Sequence, residues 1–377
     1  MVKVLFVFGT RPEAIKLCPV VRQLQSRAGQ FSARVCVTAQ HRGLLDQVLE
    51  VFGVKPDHDL DIMQPGQTLS QSTARIMAAL EPVMQREKPD MVLVQGDTTT
   101  TLCGALSAFY HRVPVGHVEA GLRTWDLYQP FPEEANRLLT GRLAAVHFAA
   151  TDWSAENLRK EGVPADAILV TGNTGIDAVL QVASELAAGR LEGFTGAAIK
   201  PDRKLIVVTS HRRESFGDGV LSLCHALGRL ADRDDTQIVF AVHPNPNVRG
   251  PVHERLGNHP NISLVDPVSY VPFVDLMRRS YLLLTDSGGI QEEGPSLGKP
   301  ILVLRDKTER PEAVMAGTVK LVGTDSERIF TEAGILLDDA AEYERRAHAH
   351  NPYGDGQASP RIADRILAWH AAAAKGS

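Results

Sequence analysis

The sequence predicts an α/β protein of two doubly wound domains, each a parallel sheet covered by helices. Three observations carry this prediction. Short apolar runs rich in β-branched residues alternate with longer helical patterns from end to end. The alternation fades between Asn173 and Gly196 and then restarts. The chain has 377 residues, too many for one ordinary core and suited to two domains of roughly 150–200 residues each.

In the first half, residues 4–8, 33–38, 91–94, 113–118 and 144–148 read as buried strands. Helical patterns at 15–27 and 69–87 lie among them. In the second half the strands fall at 205–209, 238–242, 262–264, 281–285 and 300–304. Residues 187–200 contain three glycines and little strand pattern, and read as loop. Residues 360–374 form an amphipathic helix after the Gly/Pro-rich stretch 351–357. The expected domains are 1–172 and 173–359, with a C-terminal helix over 360–377.

Hydrophobic residues make up 44% and charged residues 23%, which fits a globular protein rather than a disordered one. The net charge of −5 leaves no global basic field for nucleic acid or an anionic membrane. An anionic ligand must therefore be held by local groups. Cys18, Cys36, Cys103 and Cys224 each stand alone in an apolar stretch, without metal-ligand spacing. They read as buried thiols in a reducing compartment. Residues 1–8 lack the regions of a signal peptide, and no apolar run approaches the roughly 18 residues a membrane helix needs. The expectation is a cytoplasmic protein without membrane insertion.

Ligands of open α/β sheets bind beyond the carboxyl ends of the strands, so the residues after each strand matter most. Gly9-Thr10-Arg11-Pro12-Glu13-Ala14-Ile15-Lys16 follows the first strand. Pro12 suits a first helical turn, and Arg11 and Lys16 add cations to a helix start that already attracts anions. An ordinary β-α turn with exposed basic residues has the same pattern. Gly96-Asp97-Thr98 and His117-Val118-Glu119-Ala120-Gly121-Leu122-Arg123 end two further strands. If those strands are neighbours, about 5 Å apart, Asp97 and Glu119 face one crevice. Asp97 has a second reading as the N-cap of the next helix. Pro132-Glu133-Glu134 by itself reads as acidic residues complementing a helix dipole.

In the second half, Ser210-His211-Arg212-Arg213 ends a strand with groups suited to phosphate contact and proton transfer. Thr285-Asp286-Ser287-Gly288-Gly289-Ile290-Gln291-Glu292-Glu293 ends another and opens a helix. Its glycines let backbone N–H groups approach a phosphate. Glu293 lies about one turn on, suited to ribose hydroxyls, and Arg305 and Arg310 follow the next strand to neutralise a diphosphate. No G-x-G-x-x-G follows the first strand, and Walker A, H-E-x-x-H and G-x-S-x-G are absent. Dinucleotide, phosphoryl-transfer, zinc-hydrolase and serine-hydrolase readings lose support.

Together these segments resemble the non-hydrolysing UDP-N-acetylglucosamine 2-epimerases. The matching stretches are residues 8–16, 37–41, 95–101, 116–123, 132–137, 211–216, 285–293, 297–300, 308–314 and 351–356, collinear over nearly the whole chain. The resemblance implies a glycosyltransferase-B-like fold: two Rossmann-like domains, a cleft, and a C-terminal helix returning to the first domain. It also implies a homodimer, no cofactor or metal, and reversible conversion of UDP-GlcNAc to UDP-ManNAc. By the family pattern, Arg11, His211, Ser287, Gly288, Gly289, Glu293 and Arg310 contact UDP, and Pro272 and Phe273 face the uracil. Asp97, Glu119, Glu133 and His211 serve the chemistry, with Lys16 nearby. A second, activating UDP-GlcNAc is implied at Gln40, Gln67, Arg212 and His243. Gly43 and Gly66 stand where some members carry a polar and a basic residue.

The implied chemistry has a physical logic. The C2 proton of an N-acetylhexosamine is not next to a carbonyl, so a base cannot simply remove it. Expelling UDP builds positive charge at C1 and acidifies C2–H. A 2-acetamidoglucal intermediate, reprotonated from the other face, takes UDP back with C2 inverted. The alternatives are a glycosyltransferase on the same fold, a hydrolysing epimerase that releases ManNAc, and a non-catalytic nucleotide-sugar sensor.

Overall fold

The computed structural model describes residues 1–39, 42–64, 66–211, 217–308 and 310–376. The chain divides into two compact units, Met1–Ala178 with Tyr353–Ser377 and Val179–Pro352. The seams differ from the expected 172/173 and 359/360. Asn173 N–H donates to the Tyr353 carbonyl at 2.7 Å. Asp177, buried, accepts from Ala358 N and Ser359 N at 3.2 and 2.7 Å. These bonds tie 173–178 and 353–359 to the first unit. Asp177 thereby satisfies two of the free N–H groups that open the last helix, Ala358–Gly376. Arg27 pairs with Asp364 of that helix at 2.5 Å.

The first unit has a parallel seven-stranded sheet: β1 (Val2–Phe8), β2 (Phe31–Val37), β3 (His58–Asp59), β4 (Met91–Gln95), β5 (Val115–Ala120), β6 (Val146–Ala149) and β7 (Ile168–Val170). Their order is β3-β2-β1-β4-β5-β6-β7. The second unit repeats the plan with six: β8 (Lys204–Ser210), β9 (Thr236–Val242), β10 (Ile262–Val265), β11 (Leu282–Thr285), β12 (Ile301–Val303) and β13 (Val319–Leu321), ordered β10-β9-β8-β11-β12-β13. The strand order reverses between β1 and β4, and again between β8 and β11. Such switch points open the crevices that α/β folds use for ligands. Central strands are continuously apolar because helices cover both faces: Val4–Phe8 of β1 and Leu205–Val208 of β8 are all buried. The second unit's core joins Phe240 and Leu227 to Leu284 and Leu302.

Edge strands β3, β7 and β13 were not expected from sequence. At two or three residues each they are too short to carry a periodic signal. The first helix begins at Arg11, not residue 15, and runs Arg11–Ser26. A capping box explains the earlier start. Thr10 Oγ1 accepts from Glu13 N at 3.5 Å, and Glu13 Oε2 accepts from Thr10 N at 2.7 Å. Among the described residues no helix is long and apolar enough to cross a membrane. All four cysteines are buried and unpaired.

Gly121 follows β5 with φ +94°, and a Cβ built there would stand 2.2 Å from the Ser154 carbonyl oxygen. Two penalties add in Gly121→Ala, backbone strain and overlap with backbone that cannot step aside. The variant is expected to lose roughly 3 kcal/mol or more of stability in urea denaturation. A midpoint equal to wild type would refute the packing argument.

Candidate active site

In the first unit the switch point gathers three charged strand ends. Val4 of β1 lies opposite Met91 of β4, and Gln95 of β4 opposite Val118 of β5. The start of helix Arg11–Ser26, the loop after β4 and the end of β5 therefore share one edge of the sheet.

Asp97 sits in the loop after β4, just past Gly96 with its φ of +72°. It is not a helix cap. The next helix, Thr99–Tyr110, is capped by Thr98, whose hydroxyl accepts from Thr101 N at 3.1 Å. The Asp97 backbone is held by Asn136, whose Nδ2 donates to its carbonyl at 2.9 Å. The preceding Gly96 carbonyl accepts from His117 Nε2 at 2.7 Å. Burial pushes the His117 pKa down to about 3, so this ring is a neutral strut and not a charge. The Asp97 carboxyl is pushed up to about 6, chiefly by burial. Arg137, with Nε 3.6 Å from Asp97 Oδ2, opposes this; Glu119 and Glu133 reinforce it, and Lys16 opposes it again. The three carboxylates and two cations thus act on one another electrostatically.

Glu119 has a backbone φ of +61°, rare for a residue with a side chain. The ladder to β6 shifts register between Val118 and Ala120, so Glu119 is the extra residue of a bulge. Its carboxylate bonds Lys16 Nζ through Oε1 and accepts from Gln95 Nε2 through Oε2. The side chain is only 8% exposed. Strain held in place by an ion pair and an amide marks a site where the direction of a side chain matters.

Glu133 and Glu134 open the helix Glu133–Leu143, as the pattern predicts. The structure separates their roles. Glu134 is fully buried, accepts from Thr124 N and Trp125 N at 3.1 Å, and pairs with Arg137 Nε at 3.1 Å. Glu133 is half-buried and acts on Asp97. Arg123 pairs with Glu161 at 2.5 and 2.8 Å. Arg11 is half-buried at the start of its helix and makes no ion pair among the described residues.

Four residues given no role by sequence support this edge: Glu13, Gln95, Asn136 and Arg137. Glu13 is 1% exposed, and burial raises its pKa. It accepts from Gly9 N at 3.1 Å and Thr10 N at 2.7 Å. The hydroxyls of Thr98 and Thr101 lie 2.7 and 3.2 Å from its Oε1. One carboxylate thereby joins the loops after β1 and β4. The Thr10-x-x-Glu13 spacing was a legible signal for it. Gln95 reaches Glu119 from the neighbouring strand, and Asn136 and Arg137 reach Asp97 from the helix Glu133–Leu143.

In the second unit Thr209 of β8 pairs with Thr285 of β11, so His211 and Asp286 follow neighbouring strand ends. His211 Nδ1 lies 2.7 Å from Asp286 Oδ1. Ser287 occupies the N-cap position of the short helix Gly288–Glu293, with no capping bond from its side chain. The Arg310 guanidinium lies about 3.4 Å from where a Gly288 Cβ would be, and its Nε bonds Glu292 Oε1 at 2.5 Å. Thr308 and Gln291 brace this turn: Thr308 Oγ1 donates to Gln291 Oε1 at 2.7 Å and accepts from Arg310 N at 3.1 Å. Pro272 and Phe273 are half-buried in the helix Tyr270–Arg279. Burial and the Glu293 carboxylate push the Tyr270 phenol well above its ordinary pKa, which places Glu293 near that helix start.

Of the residues expected at an activating site, Gln40 and Arg212 lie outside the described residues. Gln67 accepts from Arg75 Nη1 at 3.2 Å in the first unit. His243 Nδ1 accepts from Asn245 N at 3.2 Å in the second.

A family model for UDP-N-acetylglucosamine 2-epimerase matches residues 22–367. The UDP-N-acetylglucosamine 2-epimerase of Escherichia coli K12 is 58% identical over 369 residues, 97% of this chain and 98% of that protein. The crystal structure of UDP-GlcNAc 2-epimerase from Neisseria meningitidis bound to UDP-GlcNAc is 48% identical, with a TM-score of 0.83 over 97% of this chain and 99% of that one. The Methanocaldococcus jannaschii enzyme in complex with UDP-GlcNAc and UDP is 33% identical, with a TM-score of 0.74 over the same shares. On this full-length similarity, the chain belongs to the UDP-N-acetylglucosamine 2-epimerase family.

Proposed function

We propose that this protein reversibly epimerises UDP-GlcNAc to UDP-ManNAc without hydrolysis. The observation that carries the reading is the group of Asp97, Glu119 and Glu133 with Lys16 at the first switch point, where the Asp97 carboxyl stands at about 6. A carboxyl near neutral pH both accepts and donates protons, which suits a reaction that runs in both directions. In the proposed path C2–H gives its proton to one of these groups, the C1–O bond breaks, and UDP leaves with that electron pair. The resulting 2-acetamidoglucal is reprotonated at C2 on the opposite face, and the UDP oxygen re-forms the bond to C1. Nothing is consumed.

The second unit is assigned the leaving group. Ser287, Gly288 and Gly289 would meet the diphosphate, with Arg310 beside Gly288 and Arg11 as a further cation. Glu293 would take ribose hydroxyls, and Pro272 and Phe273 the uracil. The two relatives crystallised with UDP-GlcNAc support this choice of ligand. Four buried thiols support a reducing, cytoplasmic setting. Homodimerisation and activation by a second UDP-GlcNAc belong to the same reading.

The test is incubation with UDP-GlcNAc in deuterated water, followed by NMR. The expected product is UDP-ManNAc carrying deuterium at C2, with total UDP-sugar unchanged. Free ManNAc would mean a hydrolysing enzyme, and an unchanged spectrum a transferase or a sensor.

A further inference from the structure

We propose that Asp286 is a positioning residue that holds His211 with its proton on Nδ1 and presents Nε2 to the ligand. The inference rests on the reading that His211 works in the epimerisation.

The residues come together through strand register. Thr209 and Thr285 are paired, with hydroxyls 2.6 Å apart, and Asp286 and His211 follow within two residues of these positions. Asp286 is 0% exposed, whereas the His211 side chain is 43% exposed. A buried carboxylate persists only where donors surround it. Asp286 Oδ2 accepts from His211 N at 2.8 Å and from the Ser210 hydroxyl at 3.3 Å. Oδ1 faces His211 Nδ1 at 2.7 Å. One carboxylate thus holds the backbone of His211 by a hydrogen bond and stands at ion-pair distance from its ring, off the line of a hydrogen bond. A carboxylate oxygen that close repels a ring lone pair and favours Nδ1 as the N–H nitrogen. Nε2 then carries the lone pair. When Nε2 takes a proton, the imidazolium keeps the Asp286 carboxylate beside it as a counter-charge.

Asp286→Asn separates this role from bulk stability. Two donors converge on Oδ2, so the amide carbonyl must take that place. The –NH2 group then faces Nδ1, which can only accept, and the ring proton moves to Nε2. The shape is kept while the tautomer is reversed.

The experiment measures ring 15N shifts of His211 in histidine-labelled protein, assigned by the signals lost in His211→Asn, together with steady-state kinetics. The expected results are an Nδ1–H tautomer in the wild type and Nε2–H in Asp286→Asn. Turnover in that variant should fall at least about 10²-fold, with KM changed less than about tenfold. An Nε2–H wild type would overturn the proposal even if the variant does not fold. So would Asp286→Asn turning over within about threefold of wild type while His211→Asn is inactive. Full activity in His211→Asn would instead remove His211 from the chemistry, and the wild-type tautomer would still test the contact itself.

Discussion

Asp97→Asn is expected to lower turnover at least about 10²-fold and, at the same time, to make the protein more stable at neutral pH. The activity loss follows from removing a group that exchanges protons with substrate. The stability gain follows from the position of its pKa, at about 6 against an ordinary 3.8. The folded state therefore holds this proton more tightly than the unfolded chain does. Well below pH 3.8 both states are protonated and Asp97 costs nothing. As pH rises through 6, the folded chain must carry a desolvated charge beside Glu119 and Glu133. The shift corresponds to at most about 3 kcal/mol. With the side chain 29% exposed, solvent reduces the expected gain to about 1–2 kcal/mol. Arg137 is not orphaned by the change, because Glu134 remains 3.1 Å away. Thermal melts should show Asp97→Asn above wild type at pH 8 and level with it well below pH 3.8. A variant less stable at pH 8 would contradict the electrostatic account, and near-normal turnover would remove Asp97 from the mechanism.

Glu119→Gln should match the activity loss and reverse the sign of the stability change. Turnover is expected to drop at least about 10²-fold, read as slowed deuterium wash-in at C2 of UDP-GlcNAc. Glu119 differs from Asp97 in its immediate partner, since its carboxylate is bonded directly to Lys16. Neutralising it leaves an ammonium that is 18% exposed without that counter-charge. Breaking a mostly buried pair from one side is expected to cost about 1–3 kcal/mol. The strained backbone at φ +61° then loses one of the contacts that hold it. A stabilised Glu119→Gln, or one with wild-type wash-in, would show that the Lys16 pair and the bulge serve another purpose.

The opposite signs show what a sequence motif leaves out. Asp97 and Glu119 are two acids at neighbouring strand ends, and the motifs place both in one crevice without telling their charge environments apart. Their environments differ because the bulge in β5 turns Glu119 onto Lys16 and Gln95, while Asp97 stands near Arg137 among other carboxylates. The doublet Glu133-Glu134 divides in the same way. Read as dipole complements, the two are equivalent; in the structure one is a fully buried brace and the other, half-buried, acts electrostatically on Asp97.

The sequence by itself determined the two parallel sheets, most of their central strands, the charged loops at the strand ends and the family. These are local properties: an apolar run flanked by helical patterns and glycine-rich turns is recognisable wherever it lies. Only the tertiary structure decided which loops are neighbours. The order β2-β1-β4-β5 and its counterpart β9-β8-β11-β12 place residues from distant segments at two switch points. From that come the partners that give each acid its character: Lys16 for Glu119, Arg137 for Asp97 and Glu134, and Asp286 for His211. A pKa, a tautomer or an ion pair is a property of what surrounds a side chain, and strand pairing assembles those surroundings from segments far apart in the chain.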